Sequence, residues 1–224
     1  MKIIGIVGRA YYNKDNQKII QVNEMIRNIL SSYDDVVSIL LLPTNIGSYG
    51  DVGNDQLGII DRKKLDFVLD KCDGFIVPGG TSWYHFDEYV IEYAKRMEKP
   101  LLAICVGFQA MCSMFAKKRD KFDMTKRMLD DSHYNHNHWI YVYDGTILKS
   151  IVQDDKILIN SLHHSYIDFD MRELVVSSRS EDGIVESVEL LEHPFFVGIQ
   201  WHPEYLMDVT SIKIFDTFLG KVIK

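Results

Sequence analysis

The chain predicts an α/β fold: a mostly parallel central sheet flanked by helices, joined to a strand-rich C-terminal half. Three observations carry that expectation. Short apolar runs of strand length alternate with helix-patterned stretches as far as Ala116. From Trp139 onward, strand-like segments take over. Within the first half, Cys105 stands at the end of an apolar run and ahead of a helix-like stretch, with Ala103 and Gly107 two residues away on either side. Small residues at those two places are what a sharp strand-to-helix turn requires.

The elements follow in order. Ile3–Val7 reads as a buried first strand ending at Gly8, and Ile19–Leu30 has helical spacing through Val22, Ile26, Ile29 and Leu30. The apolar run Val36–Leu42 is cut by Pro43, and Asn45–Gly58, rich in Gly, Asn and Asp, reads as a surface loop. Leu65–Leu69 looks helical, Gly74–Val77 is a short buried strand, and Tyr84–Met97 is a helix. Leu101–Ile104 is the next strand and Val106–Phe115 the next helix. Lys117–Asp131 is charged and without a strand period, which suits a solvated helix or loop. Strands are then expected at Trp139–Tyr143, Thr146–Val152, Ile157–Ile159, Leu174–Ser178, Ile184–Leu190 and Phe196–Ile199, before a closing helix over Thr210–Phe218. No internal repeat, low-complexity segment or Pro/Gly linker divides the chain, so residues 1–224 are expected to form a single domain.

Composition narrows the function. With 46% apolar and 25% charged residues, the chain is ordinary for a globular protein. A net charge of −7 argues against nucleic acid as a partner, because such proteins present a basic face. Three cysteines leave one unpaired under any disulfide scheme and lack metal-ligand spacing, which points to a reducing compartment. The N-terminal apolar run is too short for a secretory leader, and no stretch approaches the roughly 18 apolar residues of a membrane span. A cytoplasmic protein is expected, with no membrane partner.

A lone buried cysteine is usually a small hydrophobe, and Cys72 and Cys112 fit that description. Cys105 differs because its frame would present the thiol at a helix N-terminus, where the dipole favours thiolate. Downstream, Gln200-Trp-His202-Pro-Glu204 supplies a base and a carboxylate to orient it. Val77-Pro78-Gly79-Gly80 closes a neighbouring strand, and paired glycines let backbone N–H groups approach an oxyanion. Asn160-Ser161-Leu-His163-His164 follows another short strand and could offer donors to a substrate's polar end. In Asp182-Gly183-Ile-Val-Glu186, a turn enters a strand on which Glu186 could help to shape the site. The run His133-Tyr-Asn-His136-Asn-His138 raises the question of a metal. Its spacing is unlike a familiar zinc site, and no Cys or acidic ligand stands suitably near in the sequence, so neither metal nor cofactor is expected.

On these residues the chain resembles the class I glutamine amidotransferases, whose fold is flavodoxin-like. Pro78-Gly79-Gly80, Ile104-Cys105-Val106-Gly107-Phe108-Gln109, Asn160-Ser161-Leu-His163-His164, Asp182-Gly-Ile-Val-Glu186 and Gln200-Trp-His202-Pro-Glu204 occur in that family's order. The Asn-Ser-x-His-His and Asp-Gly-x-x-Glu pieces are most similar to the gamma-glutamyl-gamma-aminobutyrate hydrolase branch. The resemblance implies Cys105 as nucleophile, His202 as base and Glu204 as its orienter. It implies oxyanion donors at Val106 and at Gly79 or Gly80. Gln109 and Ser161 match positions that hold the glutamyl moiety, with His163 and His164 beside them. The implied reaction is hydrolysis of a gamma-glutamyl amide through a thioester on Cys105, on a small-molecule gamma-glutamyl substrate. The alternative is a glutaminase subunit that delivers ammonia to a separate synthetase chain. A homodimer is compatible with either. The chain departs from the branch at Val106, where the branch carries Arg, and in the charged stretch Lys117–Asp131.

Overall fold

The computed structural model describes residues 1–42, 59–117, 125–128 and 133–222. The loop expected over Asn45–Gly58, and most of the charged stretch Lys117–Asp131, lie outside those residues.

A nine-stranded sheet organises the molecule. Its parallel part comprises β1 (Lys2–Val7), β4 (Val36–Leu41), β5 (Gly74–Val77), β6 (Leu101–Ile104) and β13 (Phe196–Ile199), in the order β4-β1-β5-β6-β13. Three of these strands, β5, β6 and β13, are buried at every residue, as expected where helices cover both sheet faces. Beyond β13 the sheet continues antiparallel through β12 (Val185–Glu189), β11 (Val175–Ser180), β8 (Tyr134–Val142) and β9 (Lys156–Leu162). The expected parallel core and strand-rich second half are therefore parts of one sheet.

Alternation along β6 sends Leu102 and Ile104 to one core and Leu101 and Ala103 to the other. The first core also takes Ile26 and Leu30 of α1 (Glu24–Ser31), Leu148 of α5 (Ile147–Val152), and Phe215 and Phe218 of α7 (Val209–Lys221). The second takes Leu65 and Leu69 of α2 (Ile59–Leu69), Phe86 and Val90 of α3 (His85–Arg96), and Phe108 of α4 (Val106–Met114). Each such fully buried side chain contributes about 1.5–3 kcal/mol. The cores hold the strand ends in place, and the site forms at those ends. No helix among the described residues is long and apolar enough to cross a membrane.

Two expected elements are corrected. The helical spacing over Ile19–Leu30 is two elements, with Ile19 and Ile20 in β3 (Lys18–Gln21), a strand paired antiparallel with β2 (Arg9–Tyr12). The helix starts only after Asn23, whose Oδ1 accepts from the Met25 N–H at 2.9 Å and caps it. Thr146–Val152 is not a strand, because Ile147–Val152 is α5. Thr146 Oγ1 accepts from the Lys149 N–H at 3.1 Å, and the buried Glu189 carboxylate accepts from Ile147 N–H at 2.8 Å. Those two acceptors satisfy first-turn donors and outweigh the β-branched composition of the segment. A further pair, β7 (Lys126–Arg127) with β10 (Ser165–Tyr166), and the last short helix α6 (Pro203–Leu206) complete the elements.

Candidate active site

Cys105 lies where β6 meets α4, with φ 52° and ψ −106°. That backbone conformation costs a non-glycine residue about 1–3 kcal/mol and is held by the buried strand before it and the buried helix after it. The close packing explains Gly107. A Cβ there would overlap the Val77 carbonyl at the end of the neighbouring strand β5. Cys105 itself is 6% exposed. Burial pushes the Cys72 thiol up to about 11 and raises that of Cys112 well above its ordinary value, as befits packing residues.

Residues after β13 bring the imidazole to the sulfur. Pro203 opens the one-turn α6, so the chain turns sharply and His202 Nδ1 meets Glu204 Oε1 at 2.8 Å. Glu204 is fully buried, and a carboxylate there accepts, so Nδ1 carries the proton and Nε2 is the nitrogen left for Cys105. Burial alone would lower the His202 pKa. Hydrogen bonds and charge from Cys105 and Glu204 outweigh it and raise the value to about 10. Asn160 fixes the backbone of the same residue twice: its Nδ2 donates to the His202 carbonyl and its Oδ1 accepts from the His202 N–H, each at 2.9 Å. Asn23 Nδ2 reaches the Tyr205 hydroxyl at 2.9 Å and Glu204 Oε1 at 3.4 Å.

The Pro78-Gly79-Gly80 loop closes the other side. A Cβ on Gly79 would lie 3.3 Å from Cys105 Cβ, so this loop packs directly on the cysteine. Arg9, at the start of β2, ties the loop down. Its Nε donates to the Pro78 and Gly79 carbonyls at 3.1 Å, and its guanidinium is paired with the fully buried Asp87. Burial raises the Asp87 pKa against the lowering effect of Arg9. A cavity of about 340 Å³ opens here, lined by Gly79, Gly80, His202 and Glu204 together with Arg9, Tyr11, Asn23, Thr81, Ser82 and Tyr205 among others.

The structure thus brings Cys105, His202, Glu204, Gly79 and Gly80 together, with Val106 as the first residue of α4. Cys105 and Val106 do not line this cavity, and neither do the other expected residues, Gln109 standing one turn into α4 and Ser161, His163 and His164 at the end of β9. Gln109 Nε2 donates to Gln200 Oε1 at 3.1 Å and to the Ser165 carbonyl at 3.3 Å. Ser161 Oγ donates to the His133 carbonyl at 2.6 Å, and His164 stacks on Tyr134 with ring centroids 4.0 Å apart. His163 turns towards Glu186, its Nε2 lying 3.5 Å from Oε1.

One premise drawn from the sequence is overturned. An acidic side chain does stand beside the histidines, because β12 carries the fully buried Glu186 to 3.2 Å from His133 Nδ1 and 3.3 Å from His138 Nε2. His133 and Asp182, 49 residues apart in sequence, meet through a side-chain hydrogen bond that local spacing does not reveal. Burial would raise the Glu186 pKa, but the three imidazoles hold it far below the usual carboxylate range. Arg9 and Asn23 carry no motif signal for their roles, and Asn160, although it opens the Asn-Ser-x-His-His piece, holds the His202 backbone through tertiary contacts that the motif does not reveal.

Comparison with known proteins gives the family and the fold. Residues 84–204, more than half of the chain and including Cys105, His202 and Glu204, match the family model described as Peptidase C26. The gamma-glutamyl-gamma-aminobutyrate hydrolase PuuD of Escherichia coli K12 is 28% identical over 171 residues, covering 63% of this chain and 67% of that protein. The CTP synthase of Thermosipho africanus is 29% identical over 192 residues, covering 66% of this chain but only 36% of that protein. Among solved structures, the glutaminase domain of Trypanosoma brucei CTPS with bound acivicin superposes with a TM-score of 0.71 at 15% identity, covering 99% of this chain and 94% of that one. The fold is the one shared with that domain, and the chain belongs to the Peptidase C26 family.

Proposed function

We propose that the protein hydrolyses a gamma-glutamyl amide through a thioester on Cys105, with His202 as acid and base and Glu204 as its orienting carboxylate. The observation that carries this reading is the convergence of Cys105 and His202 on Gly79, where an added Cβ would lie 3.3 Å from Cys105 Cβ and 2.6 Å from His202 Cε1, with Nδ1 of that ring held by Glu204 at 2.8 Å. The Cys105 thiolate attacks the γ-carbonyl carbon, and the oxyanion is received by the backbone N–H groups of Val106 and of Gly79 or Gly80. His202 Nε2 delivers its proton to the leaving nitrogen as the C–N bond breaks. It then takes a proton from water, whose oxygen attacks the thioester, and the C–S bond breaks to free glutamate and the thiolate. Gln109, on α4, and Ser161 and His164, at the end of β9, are proposed to support the glutamyl end, while His163 turns towards Glu186 instead.

The hydrolase relative of Escherichia coli supports a small gamma-glutamyl amine as substrate, and the cavity beside His202 has room for one. Treating residues 1–224 as one domain is supported by the single sheet that runs from β1 to β13. A cytoplasmic setting is supported by three cysteines that are all free and buried. The test is a screen of gamma-glutamyl amides, glutamine included, for amine release by wild type and Cys105→Ala. Release that survives in Cys105→Ala overturns the reading.

The similarity to CTP synthase favours a second reading, in which glutamine is the substrate and ammonia passes to a separate synthetase chain. It predicts little glutaminase activity alone and a sharp rise with a partner. A homodimer is compatible with both readings.

A further inference from the structure

Three imidazoles and one carboxylate converge at a place the reaction does not use. Glu186 Oε1 lies 3.2 Å from His133 Nδ1, 3.3 Å from His138 Nε2 and 3.5 Å from His163 Nε2. Two of the rings, His133 and His163, and the carboxylate are almost wholly buried. Yet those three ring nitrogens, and both oxygens of Glu186, lack any well-aligned hydrogen-bond partner among the described residues. They are close together without pointing at one another.

The outer nitrogen of His163 fixes its tautomer. His163 Nδ1 lies 3.1 Å from the Ser165 carbonyl, which can only accept, so Nδ1 carries the proton and Nε2 presents a lone pair. The His133 ring stands between two carboxylates, its Nε2 3.0 Å from Asp182 Oδ2 and its Nδ1 3.2 Å from Glu186 Oε1. The His163 lone pair faces the Glu186 carboxylate across 3.5 Å, an arrangement that a cation held by the cluster relieves. A histidine whose far nitrogen donates to a carboxylate or a carbonyl is the usual outer support of a metal ligand.

Distances fit an ion. With metal–ligand bonds of about 2.0–2.1 Å, neighbouring donors in a tetrahedron stand about 3.3–3.4 Å apart. The donor atoms of His133, His138 and Glu186 all lie within 4.8 Å of one another. The backbone is shaped to allow this. His133 and His138 are an odd number of residues apart and would face opposite sides of a regular strand. A register shift between Tyr134 and His136, with Asn135 at φ 60°, brings their rings to 4.3 Å between centroids.

We infer that His133, His138 and Glu186, with His163 beside the carboxylate, form a binding site for one divalent transition-metal ion of the zinc class. Imidazole-rich donors select that class over calcium or magnesium, which take oxygen ligands. The site ties β8, the end of β9 and β12 together, one strand away from the His202-bearing turn. Cys105 has no part in it.

The full chain, freed of metal with a chelator and carrying Cys105→Ala to remove the reactive thiol, is titrated with Zn(II) and separately with Co(II). The expected result is one equivalent of either ion, a tetrahedral Co(II) visible spectrum, and a rise in Tm of about 5–10 °C near hundredfold excess over Kd. Asp182→Asn is expected to weaken binding about 10–100-fold, and Glu186→Gln or His138→Ala more than that. His136→Ala, an exposed neighbour on β8, should bind as the parent does. If Glu186→Gln does not fold, the partly exposed His138→Ala reads the same loss. A folded chain that takes up neither ion stoichiometrically overturns the inference, as does binding unchanged in His138→Ala and Asp182→Asn. Because the parent already lacks Cys105, neither result bears on the amide chemistry.

Discussion

Gly79 packs so closely on His202 that a Cβ at this position would sit 2.6 Å from the ring's Cε1. The glycine is required by the approach of the loop to the imidazole. Gly79→Ala should therefore displace the ring from Cys105 and lower kcat about 10²-fold, with KM little changed. Steady-state kinetics on the best amide decides it. A kcat near wild type would mean that the ring does not depend on this approach.

Cys105 pays for its position with an unfavourable backbone, at φ 52° and ψ −106°. Glycine tolerates that conformation and alanine does not. Cys105→Gly is expected to be more stable than Cys105→Ala by about 1 kcal/mol, both being inactive. Denaturant midpoints of the two variants give the comparison directly. The opposite order would show that the turn is not strained.

The Arg9–Asp87 pair is buried on both sides. Removing one partner strands a charge, so Arg9→Met should cost about 3–5 kcal/mol. Adding Asp87→Leu should recover a large part of that loss. Urea unfolding of the two variants tests both statements, and an Arg9→Met protein as stable as wild type would contradict them.

His202 gives stability a pH dependence of definite sign. Its folded pKa is about 10 against an ordinary 6.5, so protonation favours the folded state. That contribution is complete below pH 6.5 and disappears as pH rises through 10. Wild type should lose stability between pH 7 and 10 more steeply than His202→Asn. Parallel slopes across that range would mean that the ring is not held protonated by Cys105 and Glu204.

Much of the frame is readable from residues near one another in sequence. The buried strands at Gly74–Val77, Leu101–Ile104 and Phe196–Ile199 stand where their apolar runs place them. The elbow around Cys105 announces itself through Ala103 and Gly107, because the constraint is local. Failures came where distant contacts decide. Nothing local shows that Glu189 will satisfy the first turn of α5, or that Ile19 and Ile20 will pair with Tyr11 and Ala10. The His133–His138–Glu186 cluster is the plainest case, since a bulge at Asn135 and a strand from another part of the chain had to be placed first.

The ribbon formed by Arg9–Tyr12 and Lys18–Gln21 is not hydrogen-bonded into the nine-stranded sheet, although it walls the cavity through Arg9, Ala10, Tyr11 and Gln21. On the proposed reading, selectivity for the departing amine can drift at Tyr11 and Gln21, while Arg9, which ties down the Pro78-Gly79-Gly80 loop, stays fixed. Exchanging the tip of this ribbon between relatives should retune which amines are accepted while the rigid platform beneath it persists unaltered.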